Sequence, residues 1–93
     1  MDIYQKINEH VAALTPQLVA WRRELHRFPE PGWQEIRTCA LIAGELERLG
    51  YQVIAGEPVF DKDARMGLPE QKVLDAAYDR AIAQGTDPAW AER

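Results

Sequence analysis

The chain has 93 residues, which is enough for at most one modest domain that buries about 60–70% of the surface of its unfolded chain. Its 15 acidic residues outnumber its 11 basic ones, and the net charge of −4 argues against binding to nucleic acid or to an acidic membrane surface. There is no apolar run near the roughly 20 residues of a membrane span, no visible signal peptide, and only one cysteine, Cys39, so we expect a cytoplasmic protein without a disulfide.

The first predicted element is a long amphipathic helix over residues 3–28. Its apolar side chains recur at steps of three and four and therefore share one face: Ile3, Ile7, Val11, Leu14, Leu18, Trp21, Leu25 and Phe28. Pro16 lies inside this pattern, although proline lacks the N–H that a helix interior uses. Thr15 and Pro16 would equally suit the start of a second helix. The sequence therefore leaves two readings open, one kinked helix or two helices nearly in line.

A turn and a second helix follow. Pro29, Pro31 and Gly32 end the first helix and force a reversal of the chain. The second helix is predicted over residues 35–49, and Gly50 then stands where a left-handed residue commonly ends a helix. Residues 51–54 have the β-branched and aromatic composition of a strand.

The remaining chain is predicted to be irregular over residues 55–69, helical over 70–84, and helical again over 88–92. The strand at 51–54 finds at best a weak partner, residues 59–60, and a lone strand leaves its backbone donors and acceptors unpaired. We therefore expect a mostly helical segment whose one strand needs a sheet encoded elsewhere, so that residues 1–93 form an incomplete part of a larger domain.

The titratable residues form no catalytic or metal-binding motif. His10 and His26 stand 16 positions apart, which turns about 160° on a continuous helix, so they point to opposite sides. Cys39 would need a base or a helix N-terminus to become a nucleophile, and otherwise packs as a small residue between helices. Asp61 and Asp63 offer only two carboxylates, which is weak for a cation site. We predict no catalytic and no metal-binding residue in this chain.

Residues 21–35 are better interpreted as a structural corner. His26 lies in the last turn of the first helix, where the helix dipole favours positive charge, and three further basic side chains share that benefit: Arg22, Arg23 and Arg27. Trp33 can fold back on the end of that helix. Glu30 and Glu35 would make an acid/base pair only if they converged, which the sequence does not show.

The same corner carries a set of residues with a characteristic spacing: Arg22, Arg23, Leu25, His26, Pro29, Glu30, Gly32, Trp33, Glu35 and Thr38. This set resembles the start of the di-zinc amidohydrolase and exopeptidase family, which includes aminoacylases, carboxypeptidase G-type enzymes and indole-acetyl-amino-acid hydrolases. A second block, Leu-x-x-Leu-Gly-Tyr-x-Val in that family, is matched by Leu46, Leu49, Gly50, Tyr51 and Val53. Residues 63–69, the helix after them and Trp90 resemble the aminobenzoyl-glutamate hydrolase branch.

The resemblance implies an α/β parent fold, a zinc-exopeptidase-like sheet with flanking helices, which the strand at 51–54 would enter. It implies a divalent metal, zinc or manganese, held by a Cys-Gly-His-Asp-Gly-His-type segment and later residues that this chain does not contain. It also implies hydrolysis of the amide bond of an N-acyl or N-aroyl amino acid such as p-aminobenzoyl-glutamate. The partners would be the rest of the catalytic domain and a second hydrolase subunit, and this chain alone is expected to be inactive.

Two alternatives stay open. The chain could be a free-standing helical interaction module without catalytic activity, which binds a partner through the apolar face of residues 3–28, or the remnant of a broken gene. A module should be monodisperse and melt cooperatively, whereas an incomplete part of a domain should be partly molten or prone to aggregate.

Overall fold

The computed structural model describes residues 2–93, in which it contains four α-helices and two short 3-10 helices. The α-helices are α1 (Ile3–Arg27), α2 (Ile36–Arg48), α3 (Gln71–Ala83) and α4 (Pro88–Ala91), and the 3-10 helices are Glu57–Val59 and Lys62–Ala64. Each α-helix differs from its predicted range by no more than one residue at either end.

Helix α1 is continuous, with Pro16 inside it. Its N-terminus is closed by a capping box, in which the Asp2 side chain accepts a hydrogen bond from the Gln5 backbone N–H at 2.8 Å and the Gln5 side chain accepts one from the Asp2 N–H at 3.1 Å. Thr15 does not begin a second helix, because its hydroxyl donates to the carbonyl of Val11 at 2.8 Å, as threonine does in a helix interior. Of the two predictions for residues 3–28, the structure shows the single helix.

Helix α1 projects from the rest of the chain. The described residues measure 55 × 28 × 24 Å with a radius of gyration of 16.5 Å, whereas a compact domain of this length has about 12 Å. No residue of α1 is buried, and its apolar face, which we call the α1 stripe, is exposed: Ile3, Ile7, Val11, Leu14 and Leu18. Neither α1 nor any other described helix is apolar over enough of its length to cross a membrane.

The packed part of the chain is formed by α2, α3 and α4. Its buried hydrophobic side chains are all alanines: Ala40 and Ala43 of α2, and Ala77 and Ala81 of α3. Thr86 is buried beside them, and its hydroxyl has no hydrogen-bond partner in the described residues. Because alanine buries little apolar area, this core supplies only a small part of the hydrophobic stabilisation that a domain needs.

The predicted strand at residues 51–54 is not formed in the described residues 2–93. Helix α2 ends as the sequence indicates, with Gly50 at a φ of 96° and the Tyr51 N–H bonded to the Leu46 carbonyl at 3.0 Å. The segment that follows has no neighbour to pair with, and its predicted weak partner begins inside the 3-10 helix Glu57–Val59. A strand requires a second strand for its backbone groups, which explains the difference.

Candidate functional site

The chain reverses direction at a tight turn between α1 and α2. The Gln34 N–H bonds to the Pro31 carbonyl at 3.0 Å, which places Gly32 and Trp33 at the centre of the turn. Trp33 has a φ of 64°, a left-handed conformation that bulky side chains rarely adopt. The turn therefore holds a large aromatic residue in a strained backbone conformation.

Glu30 caps helix α2 from outside the helix. One carboxylate oxygen accepts hydrogen bonds from the Thr38 backbone N–H and the Thr38 hydroxyl, both at 2.7 Å, and the other accepts one from the Arg37 backbone N–H at 2.8 Å. Glu35, which directly precedes the helix, makes no capping bond. Both oxygens of Glu30 thus satisfy free N–H groups at the positive end of the helix dipole, which is a structural role and not that of an acid/base pair with Glu35.

Arg37 joins the two helices. Its guanidinium forms an ion pair with Glu24 of α1 and lies 4.1 Å from the centre of the Phe28 ring. The Arg37 side chain is only 11% exposed, so the pairing and the stacking compensate for part of the loss of water around its charge, while its Nε–H is buried without a hydrogen-bond partner in the described residues. Sequence reasoning missed this residue. The sequence feature that could have identified it is a basic side chain in the first turn of a helix. The helix dipole disfavours a positive charge there unless a carboxylate lies nearby.

The structure brings only part of the family-like signature together. Glu30 and Thr38 are hydrogen-bonded, Trp33 occupies the turn beside them, and Gly50 ends α2. Glu35 is half-buried. The other signature residues are exposed: Arg22, Arg23, Leu25, His26, Pro29 and Gly32.

Trp33 also connects the corner to the irregular segment before α3. Its indole Nε1–H donates to the Met66 carbonyl at 2.7 Å. The centres of the Trp33 and Phe60 rings are 6.5 Å apart with the planes inclined at 47°. The Arg65 guanidinium carbon lies 5.5 Å from the Trp33 ring centre and 5.7 Å from that of Phe60. We call Trp33, Phe60 and Arg65 the aromatic–arginine cluster.

Cys39 lies on α2 and is exposed, so the interpretation that it packs between helices is wrong. Partial burial of its sulfur raises the pKa of the thiol, and the negative charges of Glu35 and Glu30 raise it further. Because a nucleophilic cysteine needs its thiolate form, these surroundings disfavour catalysis by Cys39.

The described residues contain no group of three or more His, Cys, Asp or Glu side chains that could hold a metal ion. Asp61 and Asp63 form a local turn, in which the Asp61 carboxylate accepts a hydrogen bond from the Asp63 backbone N–H at 3.0 Å. The divalent metal implied by the family resemblance therefore does not fit the residues of this part of the chain, and no step at a metal is assigned to them.

Known amidohydrolases are similar to this chain over nearly all of it. It is 42% identical over 84 residues to indole-3-acetyl-aspartic acid hydrolase of Enterobacter agglomerans, an alignment that covers 90% of this chain and 19% of that protein. It is 41% identical over 86 residues to one of the subunits of p-aminobenzoyl-glutamate hydrolase of Escherichia coli (strain K12), an alignment that covers 92% of this chain and 20% of that protein. No family model matches the chain.

The fold is similar to that of a crystal structure as well. The aminobenzoyl-glutamate utilization protein from Klebsiella pneumoniae superposes with a TM-score of 0.90 at 40% identity, over 94% of this chain and 22% of that one. This chain thus spans about a fifth of the length of the relatives it matches. The resemblance predicted from the corner residues is confirmed.

Proposed function

From the similarity to these relatives, we propose that this chain belongs to their amidohydrolase family. We propose that it forms part of the catalytic domain of an enzyme that hydrolyses the amide bond of an N-acyl or N-aroyl amino acid. The proposed substrate is p-aminobenzoyl-glutamate, whose amide bond takes up one water molecule to give p-aminobenzoate and glutamate. The identity of about 41% to a protein named for this substrate, over 92% of the chain, carries the proposal.

The part that this segment plays is structural. The corner of Glu30, Arg37 and Thr38 fixes the angle between α1 and α2. The described residues contain no group of three or more His, Cys, Asp or Glu side chains that could hold a metal ion. The proposed parent fold is α/β, with residues 51–54 entering a sheet built by further chain. A divalent metal, zinc or manganese, would be bound by residues outside this segment, so the segment alone is proposed to be inactive.

The exposure of the α1 stripe supports the proposal that another part of the enzyme covers it. Ile3 is 67% exposed, Ile7 51% and Leu14 52%, although burial of such a side chain is worth about 1.5–3 kcal/mol. We propose that the remainder of the catalytic domain covers this face. We also propose that the whole enzyme works with a second hydrolase subunit, because the Escherichia coli relative is named as one subunit of its hydrolase.

A chimera tests the proposal. The segment of the Escherichia coli p-aminobenzoyl-glutamate hydrolase protein that aligns with this chain is replaced by this chain, and the purified protein is assayed with p-aminobenzoyl-glutamate. We expect hydrolysis by the chimera and none by the 93-residue chain. A second chimera carries the matching segment of the Haemophilus influenzae homologue, which is 40% identical to this chain. This control shows whether the enzyme tolerates the exchange of this segment.

Two outcomes would count against the proposal. One is a folded but inactive chimera beside an active Haemophilus control. The other is an isolated chain that is monodisperse, melts cooperatively and does not need the remainder, which would favour the interaction module without catalytic activity.

A further inference from the structure

Residues 57–66, which we call the strap, lie between α2 and α3 and contain both 3-10 helices. Hydrogen bonds inside the strap hold its local shape. The Ala64 N–H donates to the Asp61 carbonyl at 3.1 Å. The Arg65 Nε–H donates to the Lys62 carbonyl at 2.9 Å. Because both bonds begin and end within the strap, they are kept when the strap moves as one unit.

A glycine with a positive φ stands at each end of the strap, Gly56 at 82° and Gly67 at 69°. Glycine adopts positive and negative φ about equally, so these two positions can absorb a change in the direction of the backbone. A Cβ added at Gly67 would meet no atom within 4 Å, so the chain has room to turn there. A Cβ added at Gly56 would clash with the Arg93 carbonyl, so only glycine fits at that end. Two flexible positions thus bound the strap.

The strap is attached to the rest of the chain through Trp33. In residues 2–93, one hydrogen bond connects the strap with residues outside positions 56–67, from the Trp33 indole Nε1–H to the Met66 carbonyl at 2.7 Å. The Trp33 ring also lies against Phe60 and Arg65. Every strap residue except Arg65 is exposed, so burial adds little to these contacts. Loss of the contacts of one side chain is therefore enough to release the strap.

The backbone of Trp33 favours such a release. A tryptophan at a φ of 64° is strained and persists only where its surroundings hold it in place. The hydrogen bond to the Met66 carbonyl and the contact with the Phe60 ring are surroundings of this kind. When they are broken, the backbone of Trp33 can relax, and the relief of strain offsets part of the cost of opening.

The strap forms one wall of a cavity of about 300 Å³. Phe60 and Arg65 line the cavity from the strap, and Cys39 and Ala43 line it from α2. Movement of the strap away from α2 would therefore widen the access to Cys39.

We propose that the strap is a hinged lid on this cavity, with Gly56 and Gly67 as its hinges and the indole N–H of Trp33 as its latch. The inference goes beyond the proposed function, because it concerns a movement within the 93 residues and no step of amide hydrolysis. An immobile strap would leave the expectation for the chimera unchanged.

The test measures access to Cys39, the single cysteine of the 93-residue chain. The chain is labelled with iodoacetamide, which is small, and with fluorescein maleimide, which is bulky. The ratio of the maleimide rate to the iodoacetamide rate measures access of the bulky reagent, because both reactions need the same thiolate and a change in its pKa cancels. We expect this ratio to be lower in the native chain than in urea, where the lid is absent.

Trp33→Phe keeps an aromatic ring and removes the N–H donor of the latch. We expect it to raise the native ratio about two- to tenfold, which is the range expected for the loss of one hydrogen bond from the closed state. Trp21→Phe makes the same change in a tryptophan that does not line this cavity, and it should leave the ratio in place.

A second pair of variants tests the strap side of the contact. Arg65→Met removes the guanidinium that lies against the Trp33 and Phe60 rings and should also raise the ratio. Arg48→Met, in an arginine that pairs with Glu45 outside the cavity, should not. The proposal is overturned if the native and urea ratios are equal, if Trp33→Phe behaves like Trp21→Phe, or if Arg65→Met behaves like Arg48→Met.

Discussion

The carboxylate of Glu30 receives two hydrogen bonds of 2.7 Å from Thr38, one from its backbone and one from its hydroxyl. The two residues are eight positions apart and belong to different sides of a chain reversal. Their contact makes the turn and the start of α2 one structural unit, because the acceptor for the helix N-terminus comes from the segment that has just turned. This contact accounts for two of the signature residues without assigning either of them to catalysis.

Glu30→Ala should destabilise the corner. The backbone N–H groups of Arg37 and Thr38 lose their acceptor, and loss of a cap costs about 1–2 kcal/mol of the free energy of unfolding. Glu30→Gln keeps an acceptor oxygen without the charge and should cost less. The amide exchange rate of Thr38 and the urea unfolding, both in the chimera with the Escherichia coli protein, measure the effect. The control is Glu9→Ala on the exposed side of α1, and equal behaviour of the two alanine variants would contradict the capping role.

The ion pair between Glu24 and Arg37 should contribute more than an exposed pair. The Arg37 side chain is 11% exposed and that of Glu24 37%, whereas the Arg48 side chain of the Glu45 pair is 66% exposed. In a double-mutant cycle of Glu24→Gln and Arg37→Met in the chimera with the Escherichia coli protein, we expect a coupling energy of about 1–2 kcal/mol, because partial burial weakens the screening by water. The same cycle on Glu45 and Arg48 should give a smaller coupling energy. A coupling for Glu24 and Arg37 no larger than this control would show that the pair does not fix the corner.

The helices could be predicted from the sequence because their period and their ends are local properties. Gly50 and Gly85, at φ values of 96° and 92°, end α2 and α3 in the left-handed conformation that glycine adopts freely. The path of α1 through Pro16 was undecided, because Thr15 and Pro16 are compatible with a helix start as well as with a helix interior. The hydrogen bond from Thr15 to Val11 shows which of the two applies.

Contacts between distant segments could not be predicted. The aromatic–arginine cluster depends on how residues 60–66 fold back on Trp33, and those residues have no periodicity that would indicate it. Cys39 was misplaced for a related reason. The side chains of Ala40 and Ala43 share the face of α2 that packs against α3 and α4, and residue 39 is turned about 100° away from residue 40. The apolar period of α2 does place Ala40 and Ala43 on one face, and Cys39 lies outside that face.

The energetic cost of the left-handed backbone at Trp33 should be measurable separately from the contribution of its ring. Trp33→Gly and Trp33→Ala both remove the indole, but alanine at a φ of 64° keeps the steric clash that glycine lacks. We expect the glycine variant to be more stable by about 1 kcal/mol in urea unfolding of the chimera with the Escherichia coli protein. Trp90, inside α4, serves as the control, because in a helix alanine is more stable than glycine by about 0.5–1 kcal/mol. The same preference for alanine at both positions would contradict the strained conformation.

The thiol of Cys39 should react more slowly than a free thiol at mildly alkaline pH. Burial and the charges of Glu35 and Glu30 raise its pKa in the folded chain, so the protonated form is favoured there. The contribution of the Cys39 thiol to the stability of the fold is fully present at pH values below the pKa of the unfolded chain. This contribution is lost as the pH rises through the higher pKa of the folded chain. The iodoacetamide reaction rate should therefore rise at higher pH in the native chain than in urea.

Glu35→Gln removes one of the two charges that act on Cys39, and it should move the native reaction profile to lower pH. Glu9→Gln makes the same change on the exposed helix α1, and this matched control should leave the profile in place. Identical profiles for the native and the urea-unfolded chain would show that the surroundings of Cys39 do not act on its thiol.

The α1 stripe should contribute to stability only when the rest of the enzyme is present. Leu14 is 52% exposed in this chain, so Leu14→Ala should change the stability of the isolated chain by no more than about 0.5 kcal/mol. In the chimera with the Escherichia coli protein the same change should cost about 2–5 kcal/mol, because a buried leucine is then replaced and a cavity is left. Glu9→Ala, about 140° around α1 from Leu14, should have little effect in either protein. If Leu14→Ala is as mild in the folded chimera as in the isolated chain, the stripe is not covered by the catalytic domain, and its exposure would instead favour a surface that binds a separate protein.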